Sequence, residues 1–274
     1  MKIAFVAFLI IFIFSFIKPI QPVYYNKSIF PFTEASHYAL YFVGCLYYTA
    51  VRYKNYRVWL LLFALAVSLL LKNLTLLVSV IALAFCLFKF WMVFVGLAVS
   101  VLMYNFLDLS YFTGRVENIS SDSSNLSTLV FVQGWELAID ALKKSSGLGI
   151  GLQQLGEIRL TSRASRIIYA LTKTEYNITD AGLTAPKLIC EFGVFAIAAL
   201  SVFLIILAKG VLYMRKFVPG KFSNKKLLAY CFIVSFFTEL FVRGVGYFAG
   251  TFFLVITSLI YLYFYRDYSE KDTE

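Results

Sequence analysis

Histidine and acidic residues are scarce in this chain, and the scarcity excludes several kinds of catalytic site. The 274 residues include one histidine, His37, and 15 Asp and Glu residues against 25 Lys and Arg residues. A single histidine leaves no persuasive Ser, His and Asp order for nucleophilic catalysis. The chain has no Asp-x-Asp pair, the usual metal clamp for a nucleotide-sugar donor, and no Walker A sequence. We therefore expect neither a metal ion nor any other cofactor.

Cysteine is also scarce, and its positions argue against a metal site or a disulfide framework. Cys45, Cys86, Cys190 and Cys231 lie in or beside apolar segments, and no two of them have metal-ligand spacing. We expect them to be inert thiols packed among apolar side chains.

Charge is rare as well, at 15% of residues, whereas hydrophobic residues make up 61%. Soluble domains carry about 25% charged residues, so the bilayer is the expected solvent for this chain. The net charge of +10 would suit nucleic acid, but the basic residues lie in loops between apolar runs. Lipid headgroups or lipid phosphates are therefore the expected anionic partners, and no nucleic acid is expected.

The apolar runs predict an all-α polytopic membrane protein with about eight transmembrane helices and one large helical loop. A span needs about 20 residues, and two of the runs are short, so seven to nine spans fit the sequence. No small-x-small cleavage pattern follows the first run, which we interpret as an uncleaved span. The predicted spans are Ile3–Ile20, Ala35–Val51, Val58–Leu71, Leu74–Phe88, Phe90–Leu107, Pro186–Leu207, Leu227–Val242 and Tyr247–Tyr265.

Basic connectors predict the orientation of these spans. Residues 52–57 and 209–226 are rich in Lys and Arg, and with eight spans both connectors face the same side, which the positive-inside rule makes cytoplasmic. Both termini are then cytoplasmic. The predicted parts are N-terminal membrane helices (1–107), a periplasmic loop with two helices (108–185), and C-terminal membrane helices with a cytoplasmic tail (186–274).

The loop is patterned rather than a simple linker. An apolar stripe predicts a helix over Ser127–Lys144, which the glycines at 147, 149 and 151 end in a tight turn. A second helix is predicted over Arg159–Leu171, with Arg159, Arg163 and Arg166 at i, i+4 and i+7 on one face. That face is either solvated or held to lipid headgroups, or it is a clamp for phosphate oxygens.

Three clusters of ionisable residues lie at predicted membrane depth, all at the external ends of spans. Such groups are costly in a bilayer and are functional candidates by default. The alternative is structural, with Lys187–Glu191 and Glu239–Arg243 as intrahelical ion pairs and His37 bonded to backbone. The cluster members are Glu34, His37, Asp180, Lys187, Glu191, Glu239, Arg243 and Tyr247.

At these residues the chain resembles the bacterial O-antigen polymerases, in the larger group that includes the O-antigen ligases. Residues 33–39 resemble the family's Glu-Pro-Ser-His-aromatic-Ala segment, with Ala35 where proline is usual. Trp135 and the three glycines that follow resemble the external-loop helix and its glycine turn, with Gln133 nearest where arginine often stands. Residues 180–193 resemble the start of the next span, and residues 240–248 resemble the late arginine motif. The resemblance extends from about Phe30 to the end.

The resemblance implies a reaction and roles for the candidate residues. A metal-independent glycosyltransferase would join undecaprenyl-pyrophosphate-linked oligosaccharide repeat units at the periplasmic face of the bacterial inner membrane. Its implied partners are membrane lipid and a chain-length regulator. The implied base or acceptor-orienting groups are Asp180, Glu34 or His37. The implied pyrophosphate ligands are Arg243, Arg163, Arg166, Arg159 and Lys187, and the other substrate contacts are Tyr247, Trp135, Glu239 and Arg115. The alternatives are an O-antigen ligase acting on lipid A-core and a transporter of lipid-linked glycans.

Overall fold

A computed structural model describes residues 34–89 and 125–271, with isolated residues at 6, 9–10, 13, 32, 119 and 123. Side chains are described as far as residue 264. The predicted span Phe90–Leu107 and Arg115 lie outside the described residues, as does nearly all of Ile3–Ile20. All the regular elements described are helical, which confirms the all-α class. They are α1 (Ala35–Arg52), α2 (Arg57–Leu70), α3 (Leu74–Leu87), α4 (Leu126–Lys144), α5 (Arg163–Thr172), α6 (Thr184–Lys216), α7 (Asn224–Phe241) and α8 (Gly250–Lys271).

Each predicted span within the described residues overlaps a helix, although among the described helices only one has the length and apolarity of a full span. That helix is α6, with 33 residues. Two further apolar helical stretches, Leu74–Leu87 and Gly250–Phe264, are shorter than a bilayer crossing requires. The number of spans and the orientation of the termini stay predictions.

The described chain divides into two compact units, of residues 1–97, 206–238 and 248–274, and of residues 98–205 and 239–247. In the first unit, α1 packs against α3. The buried Tyr47 donates its hydroxyl proton to the carbonyl of Ser79 over 2.8 Å. Asn73 caps α3 by accepting from Leu76 N, and its amide donates to the carbonyl of Ala35 over 2.7 Å. One side chain therefore fixes the starts of both helices.

In the second unit, α4 and α5 pack through Leu129, Val130, Ala164 and Ile168. Helix α5 begins at Arg163, four residues later than the predicted start at Arg159. Only Arg163 and Arg166 of the predicted stripe are therefore helical, and the prediction for Arg159 was wrong.

The later start of α5 has a local cause in its cap. The Ser162 hydroxyl accepts from Ser165 N over 2.9 Å and donates to Glu136 Oε2 over 2.8 Å. The same Glu136 oxygen accepts from Ala164 N over 2.9 Å. A carboxylate on the first amides of a helix stabilises that end through the helix dipole. The helix therefore begins where Ser162 and Glu136 satisfy its amides.

Candidate functional site

A kink inside α6 holds the glycine turn that follows α4. Gly193 has φ +56° and ψ −131°, which breaks the helix and frees carbonyls on its N-terminal side. The loop backbone fills these positions. Its hydrogen bonds run from Ile150 N to Cys190 O (2.9 Å), from Gly151 N to Glu191 O (3.0 Å) and from Val194 N to Gly147 O (2.8 Å). The turn was predicted to separate two loop helices, but its docking on α6 was missed.

Two of these positions require glycine because backbone meets backbone. A Cβ at Gly149 would lie 2.5 Å from the carbonyl oxygen of Glu191, and a Cβ at Gly193 would collide with the carbonyl oxygen of Gly147. Both residues also have positive φ. Gly193, the glycine inside the predicted span Pro186–Leu207, was the one sequence signal for the kink.

Asp180 lies in a tight turn that leads into α6. The next residues, Ala181 and Gly182, both have positive φ, at +50° and +66°. The carbonyl of Ala181 packs so closely on Gly134 of α4 that a Cβ there would collide with it. The carbonyl of Gly182 accepts from Gly244 N over 3.0 Å. The turn is therefore held between α4 and the 239–247 segment.

The 239–247 segment reaches Asp180 itself. A Cβ at Gly246 would lie 3.3 Å from Asp180 Oδ1, so the segment passes directly beside the carboxylate. Arg243 directly precedes Gly244, the residue whose amide is bonded to the turn. Its side chain is half-buried. Arg243, from the late arginine motif, and Asp180, from the end of the loop, thus belong to segments that meet within the second unit.

Four side chains form a connected group that we call the Lys187 cluster: Asp180, Lys187, Glu191 and Tyr247. Lys187 Nζ donates to Asp180 Oδ1 over 2.8 Å and to the carbonyl of Thr179 over 2.9 Å. The same ammonium lies 5.0 Å from the centroid of the Tyr247 ring, within cation–π range. The Tyr247 hydroxyl donates to Glu191 Oε2 over 2.8 Å. A continuous chain of contacts therefore joins Glu191 to Asp180.

Lys187 and Glu191 do not form the i, i+4 ion pair that the sequence allowed, because Lys187 bonds to Asp180 instead. Side chains on a helix lean toward its N-terminus, so a lysine covers the turn before it rather than the turn after it. Glu191 lies one turn toward the C-terminus and takes the Tyr247 hydroxyl. The structural alternative of an ion pair between Lys187 and Glu191 is therefore not what the structure has.

The cluster is buried at its Glu191 end and exposed to solvent at its Asp180 end. Lys187 is 3% exposed and Glu191 is 1% exposed, whereas the Asp180 side chain is 51% exposed. Within the part of the chain that the structure describes, Glu191 Oε1 has no hydrogen-bond partner. Glu239, at the C-terminal end of α7, is also 1% exposed. Buried ionisable groups cost stability unless they are paired, and they concentrate at functional sites.

The other candidate residues have surroundings of their own. Glu34 and His37 belong to the first unit, where Glu34 accepts from the Ser36 hydroxyl over 2.9 Å and from His37 N through its carbonyl over 3.1 Å. Trp135 is half-buried on α4. Arg159, Arg163 and Arg166 are exposed around the start of α5. In the second unit, the contacts of the Lys187 cluster link three of the candidates to one another, namely Asp180, Lys187 and Tyr247.

Near the arginines, Asp140 ties α4 to the residues that precede α5. It accepts from Thr161 N and pairs with Lys144 over 3.0 Å, while Lys144 also donates to the carbonyl of Arg159 over 2.8 Å. Partial burial raises the pKa of Asp140, but the hydrogen bonds from Thr161 and Lys144 outweigh it and hold the pKa below the ordinary carboxyl value. This carboxylate is therefore structural.

The cluster offers a half-exposed carboxylate on a buried ammonium, with an arginine segment beside it. Comparison with protein-family models, with curated proteins and with solved structures found no match for this chain. The chemistry of the residues therefore carries the functional argument.

Proposed function

We propose that the protein is a membrane-embedded glycosyltransferase that polymerises lipid-pyrophosphate-linked oligosaccharide repeat units, as the resemblance to O-antigen polymerases implies. The observation that carries the proposal is the meeting of Asp180 with the segment that bears Arg243. A carboxylate can accept the proton of an attacking hydroxyl, and a guanidinium can hold phosphate oxygens, so the two together can support glycosyl transfer without a metal. Supporting this pairing, Gly244 N bonds to Gly182 O over 3.0 Å.

The proposed reaction is a displacement at the anomeric carbon of the donor. A hydroxyl of the acceptor repeat unit attacks that carbon, and its proton passes to the Asp180 carboxylate. The new C–O bond forms as the bond from the anomeric carbon to the pyrophosphate oxygen breaks, and lipid pyrophosphate leaves. Arg243 stabilises the charge that develops on the leaving group, because a guanidinium fork binds phosphate oxygens in bidentate fashion.

The exposed apolar surface of α6 supports a membrane location. Phe195, Val202 and Ile205 are each more than half exposed on a helix of 33 residues. In water such a surface is rarely left uncovered, whereas lipid tails cover it at no cost. We infer the inner membrane of a bacterium, with the loop and its cluster on the periplasmic side and both termini in the cytoplasm.

The test is Arg243→Ala, with Arg243→Lys as the matched variant that keeps the charge but loses the fork. In a deletion strain, Arg243→Ala is expected to abolish long glycan chains at normal protein level, with a rate loss of about 10²–10³-fold from removing one stabilising donor. Arg243→Lys should retain partial activity. Chain length on glycan gels and turnover of purified lipid-linked repeat units are the measurements.

The same gels separate the alternatives. In the deletion strain, a single repeat unit on the lipid core indicates a lost polymerase, whereas no glycan at all indicates a lost ligase or a lost transporter. Unchanged chain lengths with Arg243→Ala would remove this residue from the mechanism.

A further inference from the structure

We propose that Glu191 and Tyr247 are positioning residues for Asp180, acting in series through Lys187. The inference rests on the proposed function, in which Asp180 accepts the acceptor proton. It changes the role of Tyr247, for which the resemblance implied a contact with substrate, and it gives a specific role to Glu191, which the sequence analysis left between a functional candidate and an ion-pair partner.

The first step is that Lys187 is committed on all sides. Its buried ammonium has three protons, of which two are directed to Asp180 Oδ1 and Thr179 O. Its third side faces the Tyr247 ring at 5.0 Å. A lysine chain is flexible in water, and these contacts reduce it to one position. The position of Asp180 Oδ1 then follows from that of Lys187 Nζ.

The second step is that Tyr247 is itself fixed from behind. Its hydroxyl donates to the buried Glu191 over 2.8 Å, which sets the tilt of the ring that faces the ammonium. A phenol that donates to a carboxyl oxygen also carries more electron density in its ring, which strengthens the attraction for a cation. The contacts therefore reinforce one another from the buried end to the exposed end.

The third step is that stability alone gives a poor account of Glu191. Its side chain is 1% exposed, and within the described residues its Oε1 has no partner. Leaving a buried oxygen unmatched costs stability, and an apolar residue of similar volume in such a place is often neutral or stabilising. We conclude that the acid serves orientation.

The turn that carries Asp180 also supports a positioning role for these residues. Ala181 has φ +50°, a conformation that alanine rarely adopts, and its carbonyl is pressed against Gly134. Backbone strain of this kind persists when surrounding contacts over-determine it, and it collects at functional sites. The carboxylate is thus held by its backbone on one side and by Lys187 on the other.

The experiment compares Glu191→Gln, Tyr247→Phe and the double variant in the full-length protein in lipid nanodiscs. Each single variant is expected to lower kcat by at least about tenfold, a fraction of the 10²–10⁴ that a positioned base contributes. KM for the repeat unit and the thermal midpoint should change little. Because the residues act in series, the double variant should lose no more than the worse single variant.

Matched controls come from exposed residues of the same unit. Tyr169→Phe on α5 and Glu157→Gln in the preceding turn make the same chemical changes at exposed positions and should leave kcat unchanged. Additive losses in the double variant, or losses that merely follow a lower thermal midpoint, would overturn the inference.

A second readout does not depend on activity. Lys187 should react slowly with an amine-specific acetylating reagent in the wild type, and about tenfold faster in Tyr247→Phe, with the exposed Lys143 as internal reference. If Lys187 is labelled faster in Tyr247→Phe but the wild type does not polymerise repeat units, the proposed function is wrong and the positioning network stands. If the wild type does polymerise them, and Tyr247→Phe changes neither the labelling rate nor kcat, the network alone is wrong.

Discussion

A methyl group added at Gly149 tests whether the glycine turn is locked into the kink of α6. Gly149 has φ +87°, and its Cβ would lie 2.5 Å from Glu191 O and 2.6 Å from Gly193 N, both backbone atoms that cannot rotate away. The turn must then move off the helix. That movement would break the bonds from Ile150 N to Cys190 O and from Gly151 N to Glu191 O.

The magnitude of the Gly149→Ala effect follows from these contacts. A positive φ costs a non-glycine residue about 1–2 kcal/mol, and each lost hydrogen bond costs about 1 kcal/mol. The expected loss is therefore about 3–4 kcal/mol in the free energy of unfolding.

Gly147→Ala is the matched control. Gly147 has nearly the same φ, +89°, but its nearest neighbour would be Val194 Cγ1 at 3.5 Å, an ordinary contact. This variant should lose only the conformational part, about 1–2 kcal/mol. The difference between the variants isolates the docking of the turn.

Two assays measure this difference. A denaturant titration of the purified protein in mixed micelles gives the stability of each variant, followed by tryptophan fluorescence. Hydrogen exchange then locates the change, because the amides of Ile150 and Gly151 should lose protection in Gly149→Ala and keep it in Gly147→Ala. Equal losses of stability, or protection retained in both variants, would refute the reasoning.

Two further predictions concern metal and pH. Polymerisation of purified lipid-linked repeat units should survive EDTA, because guanidinium groups are proposed to stabilise the leaving group, and a requirement for divalent metal would contradict the scheme. Asp140 should stabilise the protein above the ordinary carboxyl pKa of 3.8, and this contribution should fade as pH falls through its lowered folded pKa. The effect is below about 1 kcal/mol because the ion pair with the exposed Lys144 lies at the protein surface. It is measured as a gap in thermal midpoint between wild type and Asp140→Asn that closes at acid pH, and a gap that widens there would contradict the assignment.

The helices were predictable because their signals are local. Apolar runs and the breaks between them placed α1, α3 and α4 within about two residues of their observed ends, as expected for long periodic segments. The start of α5 was missed because its cap depends on Glu136, a residue 26 positions before Ser162. No local pattern marks Glu136 as a cap for another helix.

The site was predictable as a set of segments but not as a set of contacts. Polar residues at the ends of apolar runs singled out 180–191 and 239–247, and the structure joins these two segments. The contact of Lys187 with Asp180 was missed, because it depends on a turn in which Ala181 adopts a positive φ. Sequence statistics assign such a conformation to glycine or asparagine first.

The positions that break local rules are informative because they lie around the same few residues. Ala181 precedes Lys187 by less than two helical turns, and Gly193 follows Glu191 by two residues. One departure fixes the turn that carries Asp180, and the other fixes the backbone of Glu191 through its bond to Gly151 N. A helix selected only for crossing lipid has no reason to start from a strained turn or to kink against a loop. Both departures are explained if the segment between Ala181 and Gly193 must hold Lys187 and Glu191 in fixed positions. Strained backbone at functional sites generally serves to fix side chains in this way.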